Sequence, residues 1–168
     1  MKPASESRVL VVDDDPVLRS IYQKLLEVNG WKVAVAADGR EGMKAIVSFE
    51  PEVVLSDWMM PYVDGLELCQ AIKTGLGEEA PYFLLVSARS EPEDRARALA
   101  AGVDDYIVKP CDHAEVLQRI QAGFQVTGRA ARVRALEEEL RVTRLELAAV
   151  RRELARRNGD VEDEAAAA

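Results

Sequence analysis

The sequence has little of what secreted and membrane proteins need. Its two cysteines, Cys69 and Cys111, are too few for a disulfide framework, which favours a reducing, cytoplasmic location. No uninterrupted apolar stretch approaches the roughly 20 residues of a membrane-spanning helix, and residues 1–7 lack the apolar core of a signal peptide. The net charge of −8 also argues against nonspecific attraction to the phosphates of DNA.

The charges fall into three regions of alternating sign. Residues 1–128 contain 13 Lys and Arg against 21 Asp and Glu, a net charge of −8. Residues 129–157 contain nine Arg and five Glu, a net charge of +4, and the last eleven residues carry four acidic side chains. Because composition changes so sharply, we expect one domain followed by a different kind of segment.

The first region alternates short apolar strand patterns with helical patterns. The strand patterns fit residues 8–12, 32–36, 53–56, 82–87 and 104–108. Between them Asn29-Gly30 and Gly102 are typical helix ends, and Asp15 before Pro16 is a typical helix start. Five such units predict an α/β fold over residues 1–124: a flavodoxin-like, doubly wound, five-stranded parallel sheet in the order 2-1-3-4-5.

A heptad pattern follows and predicts a coiled-coil helix over residues 125–157 that continues the fifth helix. Its apolar a and d positions are Val133, Leu136, Leu140, Leu147, Val150 and Leu154. The g and e positions that face each other in a parallel dimer are Arg132 with Glu137, Glu139 with Arg144, and Glu146 with Arg151. All three pairs are opposite in sign, which favours a parallel dimer. The alternative is one long amphipathic helix that packs on another domain.

The last residues have a different composition. Asn158-Gly159 predicts the end of the long helix, and the segment that follows is acidic and then rich in alanine. We therefore expect a disordered acidic tail at 158–168.

The chemically distinctive residues stand where the predicted strands end. They are Asp13, Asp14 and Asp15 after the first strand, Asp57 after the third, Ser87 after the fourth and Lys109 after the fifth. Because ligands bind outside the carboxyl ends of parallel strands, these side chains would converge on one crevice. Carboxylates suit Mg²⁺, and an ammonium and a hydroxyl suit a phosphoryl group. Each residue alone also has an ordinary explanation, such as a helix cap, a turn or a surface lysine.

Four stretches, in this order and spacing, carry a family resemblance. They are Val9-Leu10-Val11-Val12-Asp13-Asp14-Asp15-Pro16, Leu55-Ser56-Asp57-Trp58-Met59-Met60-Pro61 with Asp64-Gly65, Val86-Ser87-Ala88, and Gly102-Val103-Asp104-Asp105-Tyr106-Ile107-Val108-Lys109-Pro110. Residues 8 to about 124 thereby resemble the receiver domain of two-component response regulators. One departure is Cys111, where the family usually has phenylalanine.

The resemblance implies a task for each site residue. Asp57 would accept a phosphoryl group from a phosphohistidine. Asp14, Asp57 and the backbone carbonyl of Met59 would bind Mg²⁺, and Asp13 would hold a metal-bound water. Lys109 would pair with a phosphoryl oxygen, and Ser87 would move to form a hydrogen bond with another phosphoryl oxygen. Tyr106 would be the aromatic switch that turns inward when Ser87 moves.

The donor of the phosphoryl group is expected to be another protein. The one histidine of the chain, His113, lies in the first turn of the predicted fifth helix, away from the site. The resemblance therefore implies a sensor histidine kinase or a phosphotransfer protein as partner.

Receivers of the transcription-factor type often dimerise through helix 4, strand 5 and helix 5. Here Arg95 with Glu115 and Asp105 with Arg119 occupy matching positions for ion pairs between subunits. The alternative is ordinary surface charge within one chain. We expect a homodimer that uses this face and the coiled coil.

The output is predicted less directly. No helix-turn-helix or basic recognition helix follows, so no DNA binding is expected, and neither is a membrane contact. The stalk resembles the linker of receiver–diguanylate cyclase proteins, so the alternative is a regulatory fragment of such an effector enzyme. A haloacid dehalogenase phosphatase also uses a nucleophilic Asp and Mg²⁺, but it needs a second Asp where this chain has Met59. We expect a signalling protein and not an enzyme.

Overall fold

The computed structural model describes residues 7–166, with side chains through residue 154. Five strands form one parallel sheet in the order β2-β1-β3-β4-β5. The strands are β1 (Arg8–Val12), β2 (Lys32–Ala36), β3 (Val53–Asp57), β4 (Tyr82–Ser87) and β5 (Asp105–Val108). The predicted fold class and strand order are confirmed, and predicted and observed strand bounds differ by one residue at two places.

Five helices connect and follow the strands. They are α1 (Pro16–Val28), α2 (Gly39–Phe49), α3 (Gly65–Leu76), α4 (Pro92–Ala100) and α5 (His113–Ala166), with a short 3₁₀ turn at Gly77–Glu79. Asp15 caps α1 as predicted, since its side chain accepts hydrogen bonds from the two backbone amides at 17 and 18. Gly102, with φ of 91°, follows α4 in the left-handed conformation that glycine tolerates best.

Two hydrophobic clusters cover the two faces of the sheet. In β1 alternate residues separate between them: Leu10 and Val12 enter the cluster that includes α2 and α3, while Val9 and Val11 enter the cluster that includes α1 and α5. All four side chains are buried. Each such burial stabilises the fold by about 1.5–3 kcal/mol before chain entropy is counted. The sheet is therefore held from both sides, and its strand ends are fixed in space.

The strand order creates a crevice between β1 and β3. From β1 the chain goes first to β2 on one side and then to β3 on the other. The loops that leave β1 and β3 therefore turn in opposite directions and leave space between them at the carboxyl edge.

The chain divides into two compact units, Met1–Gly128 and Arg129–Ala168. Helix α5 runs through Asn158-Gly159 to Ala166, so the predicted helix end at Asn158-Gly159 is wrong, while the predicted disorder of the tail stays a prediction. A single glycine costs a helix only about 1 kcal/mol, and the neighbouring Arg, Glu and Ala residues are strong helix formers. Residues 167 and 168 of the predicted tail lie outside the described residues.

The apolar a and d residues of the heptad, from Val133 to Leu154, are each about half exposed. Exposure of this extent is ordinary for apolar side chains on the surface of a helix. Within residues 7–166 no helix is both long and apolar enough to cross a membrane.

Candidate functional site

The ends of the strands bring polar side chains into the protein interior. Asp13, Asp57 and Ser87 are 3%, 9% and 1% exposed, although each carries a polar group. Parallel pairing sets their positions, since β3 lies between β1 and β4 and the registers align Val12 with Ser56. The predicted convergence of Asp13, Asp57 and Lys109 at this edge is what the structure shows.

Lys109 joins the two buried carboxylates. Its Nζ donates a hydrogen bond to Oδ1 of Asp57 and lies 3.7 Å from Oδ2 of Asp13. Burial by itself would lower the pKa of Lys109, but the hydrogen bond and charge of Asp57, and then the charge of Asp13, outweigh burial and raise the pKa. The ammonium therefore stays charged at neutral pH. The Lys109-Pro110 peptide bond is cis.

Asp13 is held in an unfavourable environment for a carboxylate. Burial raises its pKa, and repulsion from Asp57 and Asp14 adds to that effect. A hydrogen bond of 2.9 Å from the backbone amide of Asp15 and the attraction of Lys109 oppose it without cancelling it. The site therefore has more negative charge than its one ammonium balances.

Asp57 is held from both sides of its carboxylate. Its Oδ1 accepts the hydrogen bond from Lys109. Its Oδ2 accepts a hydrogen bond of 2.7 Å from the backbone amide of Met59. The first residue of α3, Gly65, packs directly against the backbone of Asp57. A Cβ atom at position 65 would lie only 2.2 Å from the backbone oxygen of Asp57. Only glycine allows that approach, which explains the Asp64-Gly65 pair in the sequence.

The donor set suits a divalent cation. The described residues contain no group of three or more His, Cys, Asp or Glu side chains that could hold a metal by themselves. The carboxylates of Asp13, Asp14 and Asp57 nevertheless exceed the one ammonium by two negative charges. Mg²⁺ typically takes one or two protein carboxylates and completes its shell with water and phosphate oxygens. The charge and chemistry of the residues therefore fit Mg²⁺.

Ser87 and Tyr106 meet at the loop that follows β4. Ser87 Oγ accepts a hydrogen bond of 3.1 Å from the backbone amide of Arg89, and the Tyr106 hydroxyl donates one of 2.7 Å to the Arg89 carbonyl. The ring of Tyr106 is buried and meets Trp58 edge-on, with centroids 6.1 Å apart. Tyr106 thus points inward in this structure, and its predicted movement with Ser87 stays a prediction.

Residues 9–121 match the family model described as the response regulator receiver domain. This chain belongs to that family.

Named relatives agree with this. Response regulator MprA of Mycolicibacterium vanbaalenii is 42% identical over 115 residues, which cover 68% of this chain and 49% of that protein. Response regulator MprA of Mycobacterium tuberculosis is 41% identical over the same length and the same shares. The chain thus matches about half the length of these relatives.

Solved structures show the same fold. The receiver domain of a Francisella response regulator has 31% identity and a TM-score of 0.68, and the match covers 73% of this chain and 99% of that one. Chemotaxis protein CheY4 of Vibrio cholerae has 28% identity and a TM-score of 0.66, covering 70% of this chain and 98% of that one.

Three of the four predicted interface residues of the receiver domain pair within one chain. Arg119 lies 2.9 Å from Asp105 and 3.5 Å from Glu115, while Arg95 is exposed on α4. The Asp105–Arg119 pair predicted between subunits is therefore satisfied internally, as in the alternative interpretation. The Arg119 side chain is 43% exposed, and ion pairs of exposed side chains contribute about 1 kcal/mol at most, so an exchange of partners in a dimer would cost little. The interface between subunits stays a prediction.

Sequence reasoning did not single out Asp94, which lies 3.1 Å from Arg89 beside the receiver site. Its position in the first turn of α4 looks like an ordinary helix start, where acidic residues are common. No sequence spacing relates a helix residue to a loop residue five positions earlier, so only the fold shows this contact.

Asp13→Asn is expected to stabilise the receiver domain in the absence of metal. Because burial raises the pKa of Asp13 in the folded state, the protonated carboxyl favours folding and the carboxylate opposes it. This contribution to stability is fully present below the ordinary pKa of 3.8 and is lost as the pH rises through the pKa of the folded state. Asparagine keeps an acceptor for the Asp15 amide and removes the charge. At pH 7 we expect a gain of about 1 kcal/mol in the free energy of unfolding, about 3 °C in Tm.

The measurement is urea and thermal unfolding of both proteins at pH 7 and near pH 4, with a chelator present. The gain should shrink at the lower pH, because Asp13 of the wild type is then increasingly protonated. A variant that is equally destabilised at both pH values would contradict the charge argument.

Proposed function

We propose that this receiver accepts a phosphoryl group on Asp57 from a phosphohistidine of a sensor histidine kinase or a phosphotransfer protein. The observation that carries the proposal is the arrangement around Asp57. One carboxylate oxygen meets the Lys109 ammonium and the other meets the Met59 amide, at the buried end of β3. A nucleophile held in this way, beside a fixed positive charge, suits an anionic phosphoryl group.

The transfer itself needs little covalent chemistry from the protein. An oxygen of Asp57 attacks phosphorus, the bond from phosphorus to the imidazole nitrogen breaks, and the electron pair leaves with the histidine. Lys109 is placed to pair with a phosphoryl oxygen, since its Nζ already lies at the carboxylate that is attacked. Bound Mg²⁺ would neutralise phosphoryl charge, held by Asp14, Asp57 and the Met59 carbonyl, with Asp13 on a metal-bound water.

The phosphorylated state would be transmitted through the loop after β4. Ser87 would exchange its bond to the Arg89 amide for one to a phosphoryl oxygen. Because the Arg89 carbonyl accepts a hydrogen bond from the Tyr106 hydroxyl, a shift of this loop changes the surroundings of Tyr106. The surface next to it includes α4 and β5, which is the face proposed for dimerisation through Arg95, Asp105, Glu115 and Arg119.

The output is proposed to be a homodimer whose coiled coil carries the change to a downstream protein. The half-exposed a and d residues and the alternating charges support this arrangement. The relatives reported above carry the name response regulator, so the alternative, a fragment of a diguanylate cyclase or a similar enzyme, is not favoured. That this chain does not bind DNA stays a prediction.

Incubation with acetyl phosphate and Mg²⁺ tests the phosphoacceptor function. Intact-mass spectrometry should show one phosphoryl group per chain, and a chelator should prevent its incorporation. No incorporation from acetyl phosphate or from a phosphorylated histidine kinase would contradict the proposal.

The phosphorylated receiver is expected to be fairly long-lived. Met59 and Arg89 stand two residues after Asp57 and Ser87, and their backbone amides donate to the side chains of those two residues. In the proposed function their side chains would flank the path of an attacking water, and neither can act as a base. The double variant Met59→Asn/Arg89→Glu, which introduces groups able to orient water, should lose phosphate about tenfold faster. The decay is followed by intact mass after removal of the phosphodonor. An unchanged or slower decay would count against this explanation.

A further inference from the structure

Arg89 forms a bridge across the edge of the site. Its Nη2 lies 3.5 Å from Sδ of Met59, and its guanidinium carbon lies 5.0 Å from the centre of the Trp58 ring. Its Nη1 lies 3.1 Å from Oδ1 of Asp94. Met59 belongs to the loop after β3, and Arg89 belongs to the loop after β4. The side chain thus spans the two loops beside the phosphoacceptor.

Asp94 is the anion that holds this bridge. Its side chain is only 16% exposed, and it also lies 3.9 Å from Arg97, whose guanidinium is 5.8 Å from the same Trp58 ring. The carboxylate sits in the first turn of α4, where the helix dipole favours negative charge. The contacts of Arg89 with sulfur and with the aromatic ring are individually weak, and the ion pair with Asp94 adds a directed contact at Nη1 of the guanidinium.

A guanidinium in this position excludes water without activating it. It carries only hydrogen-bond donors and no acceptor, so it cannot take a proton from water. Hydrolysis of an aspartyl phosphate requires a water to reach phosphorus. The backbone amide of Met59 donates to Oδ2 of Asp57 and that of Arg89 donates to Oγ of Ser87, so the bridge between these two residues stands next to the phosphoacceptor.

We propose that Asp94 is a positioning residue that prolongs the phosphorylated state by holding Arg89 over Met59 and Trp58. The inference rests on the proposed function, because it concerns the lifetime of the phosphoryl group on Asp57. It adds a residue on α4 that touches neither the phosphoacceptor nor the metal ligands.

The test uses the 168-residue chain and compares phosphate loss from wild type, Asp94→Asn and Glu93→Gln after acetyl phosphate is removed and replaced by buffer with Mg²⁺. Asp94→Asn should lose phosphate about two to five times faster, the effect expected for one partly exposed ion pair. Glu93→Gln removes one exposed charge from the same helical turn and should decay like wild type. Asp94→Glu, which keeps the charge, should restore part of the lifetime.

A second comparison separates positioning from a general effect on the fold. If Asp94 acts through Arg89, Asp94→Asn should not accelerate decay further in an Arg89→Ala background. A wild-type lifetime for Asp94→Asn, or independent effects of the two substitutions, would overturn the inference and leave the proposed function standing. Wild type that takes up no phosphoryl group would overturn the proposed function, and the inference with it.

Discussion

Asp57→Asn is expected to abolish phosphoryl incorporation, to less than about 1% of wild type after incubation with acetyl phosphate and Mg²⁺. An amide oxygen is a far weaker nucleophile than a carboxylate, and the substitution also removes one charge from the proposed metal site. The fold should persist, because asparagine keeps an oxygen for the 2.7 Å hydrogen bond from the Met59 amide. Intact mass and a peptide map after borohydride trapping measure the outcome.

Asp15→Asn is the matched control for this experiment. Asp15 is exposed, follows the same acidic cluster and caps α1, a task that asparagine performs about equally well. It should therefore incorporate phosphate like wild type. Equal incorporation by Asp57→Asn would mean that another residue is the acceptor.

Asp14→Ala should remove the dependence on Mg²⁺, and Lys109→Ala should allow phosphorylation without the switch.

Leu140→Asp/Leu147→Asp is expected to convert a dimer into a monomer at tens of micromolar. These residues occupy successive a positions of the heptad, and each is about half exposed in a single chain. A parallel partner would cover them, and burial of two carboxylates facing two more would cost several kcal/mol. Light scattering on the unphosphorylated protein gives the mass directly.

Val142→Asp/Leu145→Asp is the matched control, because these apolar residues lie on the same helix and outside the a and d positions. That variant should stay dimeric. The Glu138–Arg141 ion pair of 2.8 Å also lies outside the g and e positions, so it does not compete with the pairs proposed between chains. A wild-type monomer at tens of micromolar would contradict a constitutive coiled coil and favour dimerisation that depends on phosphorylation.

The fold could be predicted closely because local and long-range signals agree. The strand segments buried on both faces, Val9–Val12 of β1 and Val53–Leu55 of β3, are apolar, and short apolar runs between helical patterns leave few topologies. The convergence of Asp13, Asp57 and Lys109 followed from the same reasoning, since parallel strands end at one edge. Three residues far apart in the chain could therefore be placed together before any distance was known.

Other features were not predictable in this way. The pairing of Arg119 with Asp105 in the same chain depends on side-chain choices between nearly equal partners, which sequence position does not resolve. The continuation of α5 past Gly159 depends on a helix cost of about 1 kcal/mol that neighbouring residues can offset. In both cases small free energies decide between alternatives that the sequence permits equally.

The sequence by itself determined the parallel sheet, the positions of its strand ends and the chemical nature of the groups at its edge. Hydrophobic periodicity and the direction of parallel strands are sufficient for those results. Only the tertiary structure decided how the side chains at that edge share their partners. Lys109 bonds Asp57 and lies farther from Asp13, and Arg89 is held by Asp94 over Trp58. Such contacts join side chains across loops and helices, where no repeat in the sequence relates one residue to the other.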